Sequence, residues 1–269
     1  MAEQVYSAID QDIFATVTEQ IEQDLVIRES IKEVLKNLDK QLKQISATLS
    51  RVHSVPPSEV PNLITKTQPI FEAAKSDLHE LVEKTKPYPY YKYNGMWQRE
   101  MQNLIFLILF ETWLSRSYLP TTVPVNALAT IEEVGARLSI PINLKTEDAF
   151  HLTIEEYLHA IISLVEELTR LMTNAVTQRD FKRPMLISTF VKDIHSAFQV
   201  LNLKNDGLRR RGDGLKYHVK RAEDIGYDLI VRNLVDMGVE EKAEEKAEEK
   251  AEEKAEEKAE EKAEDKMQE

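Results

Sequence analysis

Residues 31–52, IKEVLKNLDKQLKQISATLSRV, set Ile31, Val34, Leu35, Leu38, Leu42, Ile45, Leu49 and Val52 at spacings of three and four. That is the stripe of a long amphipathic helix. The stretch Ser54-Val55-Pro56-Pro57 ends it, because each proline removes a backbone donor and pushes its predecessor out of the helical region. A second helix is predicted from about Pro61 to Lys86, with Ile64, Phe71, Leu78, Leu81 and Val82 on its apolar side and Pro87-Tyr88-Pro89 as its stop. A third, Tyr90 to Tyr118, opens on aromatics and becomes apolar nearly all round at Leu104 to Phe110, as a central core helix does.

The pattern continues to the C-terminal region. A fourth helix is expected from Val125 to Leu138, then a loop through Pro141 and the polar stretch Asn143 to Asp148. Thr153-Ile-Glu-Glu156 is a capping box that starts a fifth helix running to about Val176. A sixth follows from Ile187 to Leu201, and Asn205 or Asp206 caps a seventh that reaches roughly Met237, with Gly238 as its stop. No alternating strand pattern appears, so the fold class is all-α, a seven-helix bundle. Ile187, Ile194, Leu201, Leu208 and Leu215 fall seven apart, but Asn205 and Gly212 interrupt the companion positions; two core-packing helices fit better than a zipper. Residues 1–238 read as one helical domain. Residues 239–269 form a low-complexity Glu/Lys/Ala tail, a fraying solvated helix or disorder, because its period of four sets glutamate against glutamate.

The charge of −12 is unevenly spread: 15 acids and 7 lysines in residues 239–269 carry −8 of it, leaving the body at only −4. A local basic patch can still hold phosphates, since charge beyond about 8 Å is screened at physiological salt. Cysteine is absent, which excludes disulfides and thiolate metal sites. The first residues, MAEQVYSAIDQDIF, do not look like a signal peptide, and the longest apolar run, Leu104 to Phe110, is seven residues where a membrane span needs about twenty. The cytoplasm is the expected location, with the nucleus as a second; no membrane association is expected.

No nucleophile motif or phosphate-cradling glycine loop is present. Glu156-x-x-His159 puts a carboxylate and an imidazole on one helical face, but di-iron bundles need two such motifs and two further glutamates, so no metal site is expected there. The basic cluster is stronger: Lys204, Arg209, Arg210, Arg211, Lys216, Lys220 and Arg221 against Asp206 and Asp213 give +5 over eighteen residues. It is either a solvated helix face or a phosphate-binding patch. Tyr88, Tyr90, Tyr91, Lys92, Tyr93, Trp97 and Arg99 interleave aromatics with cations, which suits either packing at the mouth of a core helix or stacking on unpaired bases.

Read together, these segments resemble the translin family. The stretches that carry the resemblance are Leu186-Ile-Ser-Thr-Phe190, Leu201-Asn-Leu-Lys-Asn-Asp206, Leu208-Arg209, Asp213-Gly-Leu-Lys-Tyr217 and Tyr227-Asp-Leu229. Phe150-His151-Leu152, Glu156-Tyr157-Leu158, Glu167-Leu168, Arg170-Leu171 and Tyr90-Tyr91-Lys92 support it, over roughly Ile21 to Leu234. The resemblance implies a seven-helix fold closed into an octamer around single-stranded RNA or DNA, with translin-associated factor X as partner. The family's nucleic-acid segment falls on Lys92-Tyr93-Asn94-Gly95-Met96. Here Asn94 and Met96 stand where vertebrate translins have histidines, and Gln98 where they have an arginine. Binding is accordingly expected through Tyr91, Lys92, Tyr93, Asn94 and Arg99, with Arg209, Arg210, Arg211 and Lys216.

The partner's nuclease site, as the resemblance implies it, uses four carboxylates that hold Mg²⁺. Phe106, Leu109 and Ser163 occupy three of those positions here and only Glu167 remains, for which a structural role is expected. The chain thus reads as the non-catalytic subunit, with no cofactor of its own and Mg²⁺ only through the partner; a weak metal-dependent endoribonuclease and a purely structural adaptor are the alternatives. The implied roles are passenger-strand removal in RNA silencing and trimming of transfer-RNA fragments. A reported GTP-binding-like stretch of the family maps to Val176–Asp180, where Gln178-Arg179 replace its small pair.

Overall fold

A computed structural model describes residues 11–124, 127–144, 148–203 and 206–235. The described helices are α1 (Gln11–Leu49), α2 (Val60–Thr85), α3 (Tyr90–Tyr93), α4 (Gln98–Tyr118), α5 (Ile131–Leu138), α6 (Ile154–Thr177), α7 (Lys182–Val200), α8 (Asp206–Asp213) and α9 (Leu215–Val231). Among the described residues no strand forms, only an isolated parallel bridge between Ile142 and Leu152. The chain divides into two compact units, residues 1–222 and 223–269. The tail, the Gly238 stop and the expected boundary after residue 238 lie outside the described residues.

In the first unit α1 packs along α2, and α4 lies against α1, α2 and α6, with α7 and α8 on α6. The stripe that predicts α1 is its buried face: Ile31, Val34, Leu35, Leu38, Leu42, Ile45 and Leu49 are all buried. Helix α4 is the core helix, burying Leu104, Ile105, Leu107, Ile108, Leu109 and Phe110 together. No described helix is long and apolar enough to cross a membrane.

The boundaries depart from expectation at several places, among them the sixth helix, α7, which starts at Lys182 rather than Ile187, and the seventh, which ends at Val231 rather than near Met237. Helix α1 begins at Gln11, twenty residues before its apolar stripe, and exposes Phe14, Val17, Ile21 and Leu25. The segment expected as one helix from Tyr90 is broken by a 3-10 turn at Asn94–Met96. Helix α5 starts at Ile131 rather than Val125, where Thr130 and Glu133 form a second capping box. The seventh helix divides into α8 and α9 at Gly214, where a Cβ would lie 3.0 Å from the Arg211 carbonyl oxygen. The heptad register also fails: Ile187, Ile194, Leu208 and Leu215 are buried, but Leu201 follows the end of α7 and is exposed.

The Thr153 box is formed in full. Its Oγ1 accepts from the Glu156 amide at 3.2 Å, and Glu156 Oε2 accepts from the Thr153 amide at 3.0 Å. Burial pushes the Glu156 carboxyl up, while both Thr153 donors pull it back. Thr153→Ala removes the cap acceptor and one donor to a buried carboxylate, and is expected to cost about 1–2 kcal/mol in urea unfolding. An unchanged midpoint would show that water replaces the threonine.

Candidate nucleic-acid interface

What each candidate cation can do depends on whether the fold has already given it a counter-charge. Lys92 is committed: its Nζ lies 2.9 Å from Asp24 Oδ1 and 5.0 Å from the Tyr93 ring centroid. The same carboxylate accepts from the Tyr93 hydroxyl at 2.6 Å and from Arg28 Nε at 2.6 Å. These three donors, Tyr93 foremost, hold the Asp24 carboxyl well below the usual range, so it stays ionised. The cluster fastens α3 to α1.

Tyr90, Tyr93 and Trp97 are buried, with Tyr90 and Trp97 packed around Phe150. Of the tyrosines expected to stack on bases, Tyr91 is the one whose ring is open, at 69 % exposure. Asn94 is half-buried at the end of α3.

Arg211 is also committed. From α8 it reaches across to α6, donating to Ser163 Oγ at 2.9 Å and Glu166 Oε1 at 3.3 Å, 3.3 Å from His159 Nδ1. Burial first, then the Arg211 charge, lowers the His159 pKa. Arg210 has a partner as well. Arg99, Arg209 and Lys216 form no ion pair among the described residues, although Lys216 lies over the Tyr217 ring at 5.1 Å. Arg99 borders a small groove shared with Asp39, Glu100, Phe106 and Ser163. Arg209 and Lys216 border a larger one at the end of α7. Lys204 lies outside the described residues.

Phe106, Leu109, Ser163 and Glu167, the four positions where the resemblance sets nuclease carboxylates, assemble no acidic site. Leu109 is buried in the core, Phe106 stacks on Phe110 at 6.0 Å, and Ser163 receives Arg211. Glu167 Oε1 is 2.6 Å from His53 Nε2, and His53 Nδ1 is 3.1 Å from Asn174 Nδ2. A neutral imidazole donating through Nε2 and accepting at Nδ1 satisfies both contacts. Glu167 therefore ties α6 to the turn after α1. Glu156 and His159 do not converge on a common point, since Glu156 caps its own helix. Among the described residues no three His, Asp or Glu side chains are placed to hold a metal ion. In Val176–Asp180, Gln178 donates to the His53 carbonyl and Asp180 pairs with Arg183.

The His53 hydrogen bond holds the Glu167 carboxyl below its ordinary value. A depressed carboxyl contributes stability that is present above its unfolded pKa and lost as pH falls through the folded one. Glu167→Gln is therefore expected to be less stable than the parent at neutral pH, with the gap closing below about pH 4.5. Urea midpoints across pH 3–7 measure this; a gap independent of pH would mean that the shape of the side chain matters and its charge does not.

Taken as a class, this is an all-helical bundle in which Arg99, Arg209 and Lys216 stand along grooves while Lys92 and Arg211 are paired within the fold. Comparison with known proteins narrows the class. Residues 26–233 match the translin family. Translin of Mus musculus is 37 % identical over 212 residues, covering 78 % of this chain and 87 % of the mouse protein, and translin of Homo sapiens gives the same figures. Among solved structures, apo-NeC3PO superposes with a TM-score of 0.54 at 13 % identity, covering 78 % of this chain and 95 % of that one. AfC3PO in complex with duplex RNA gives 0.51 at 19 % identity, covering 83 % and 99 %. The chain belongs to the translin family. Its fold is that of the C3PO proteins.

Proposed function

We propose that the chain is the strand-binding, non-catalytic subunit of a translin-type oligomer, an octamer alone or mixed with translin-associated factor X. The observation that supports this reading most is the division of charge: cations stand uncommitted at Arg99, Arg209 and Lys216, while Phe106, Leu109 and Ser163 stand where the partner's carboxylates would. A lone Glu167 bonded to His53 cannot organise two-ion phosphodiester cleavage. In this reading Mg²⁺ enters only through the partner. The chain holds short single strands while the partner cuts passenger strands or transfer-RNA fragments, in the cytoplasm and also the nucleus. The solved complex of AfC3PO with duplex RNA favours nucleic acid as the ligand class.

Light-scattering mass of the purified protein, alone and with labelled single-stranded RNA and Mg²⁺, tests this. A particle of about eight subunits that binds RNA and leaves it intact is the expected result. Metal-dependent cleavage by the protein alone would instead make it a nuclease, and a monomer that ignores RNA would make it a structural adaptor.

A further inference from the structure

A groove of the first unit, about 670 Å³, opens between the end of α7 and the α8–α9 segment. That is the size range of sites for drug-sized ligands. Phe198, Leu201 and Leu203 line it with apolar surface, and Leu201 is 42 % exposed. Arg209 and Lys216 line it with charge, opposed among the described residues by Asp213 alone. Gln199 and Asn202 add two side-chain amides, and none of these polar groups has a hydrogen-bond or ion-pair partner among the described residues.

The smaller groove beside Arg99 differs in kind. It holds about 310 Å³ and offers one arginine, Arg99, beside Glu100 and an Asp39 already paired with Lys43, so it lacks a second cation to hold a phosphate between two charges. The larger groove combines three things a free phosphate ion does not need together: cations, an open apolar wall and unused amides. A ligand with an anionic group, a flat apolar face and a hydrogen-bonding edge uses all three. A base inside a duplex cannot, because its faces are already stacked.

We propose that this groove is a subsite for one unpaired nucleotide of the bound strand. Its phosphate lies between Arg209 and Lys216, its base rests on Leu201 and Phe198, and the amides of Gln199 and Asn202 meet the base edge. The proposal rests on the strand-binding reading above and adds to it a place where a base, and not only the backbone, is held.

The test uses the full chain, a labelled single-stranded RNA, the same strand with abasic sites throughout, and a duplex of the same length. Leu201→Ser removes the exposed wall without adding charge, and an unchanged melting curve and particle mass confirm that the variant folds. The parent is expected to prefer the intact strand to the abasic one. Leu201→Ser is expected to weaken the intact strand by about fivefold, leaving the abasic strand and the duplex unchanged. Arg209→Ala with Lys216→Ala is expected to weaken both single strands. If the parent binds the intact strand and Leu201→Ser binds it equally well, the groove holds no base and the proposal fails alone. If the parent binds neither single strand, the strand-binding reading fails with it.

Discussion

Replacing Glu111 with alanine lowers the stability of the fold by up to about 3–5 kcal/mol, the range for breaking one side of a buried ion pair, the Arg137 side chain keeping 29 % exposure. Glu111 is 3 % exposed on the core helix α4, and Arg137 Nη1 of α5 donates to its Oε2 at 2.5 Å. Its Oε1 accepts from Gln68 of α2 at 2.9 Å and from Ser115 at 3.2 Å, so one carboxylate ties three helices. Without it the Arg137 guanidinium keeps only the Phe71 ring, 4.5 Å away, and Gln68 loses its acceptor. For a domain of this size the melting temperature should fall by roughly 6–20 °C. The urea midpoint should drop with an unchanged m-value. Glu111→Gln keeps the shape and part of the hydrogen bonding, so it should fall between the two. A loss below about 1 kcal/mol for the alanine variant would show that water reaches Arg137 and screens the pair.

That tie illustrates what the sequence can and cannot convey. The apolar run of α4 announces a core helix, because the rule that buries it is local. Nothing near Glu111 in sequence announces its partners, which lie 26 and 43 residues away. The same distinction explains the helix boundaries. The start of α1 lacks a buried stripe, and local pairs such as Asp24 with Arg28 carry the helix outward instead. The break after α3 follows from Tyr93 and Lys92 reaching Asp24, a contact 69 residues long for Tyr93. The start of α5 was legible: Thr130-x-x-Glu133 is a capping box in plain sequence, and Pro124 is the weaker signal. At the candidate interface the sequence names the cations, but which of them are spent is decided by Asp24, Ser163 and Glu166, all remote in the chain.

This sorting of cations yields the second large expected effect. Neutralising Arg209 and Lys216 together should make the salt dependence of single-strand affinity shallower by about 1.4 in the slope of log K against log salt, at about 0.7 per phosphate contact. Between two salt concentrations fourfold apart, that contribution alone amounts to about sevenfold in affinity. Lys92→Ala and Arg211→Ala should change the slope little. Lys92 already faces Asp24 at 2.9 Å and Arg211 faces Glu166 at 3.3 Å, so neither offers a full charge to displace counterions. Fluorescence titrations of one labelled strand at four salt concentrations separate the cases. Should Lys92→Ala flatten the slope as much as Arg209→Ala, Asp24 must release Lys92 when the strand arrives. Pairing within the free subunit would then be a poor guide to the interface, and α1 would move on binding.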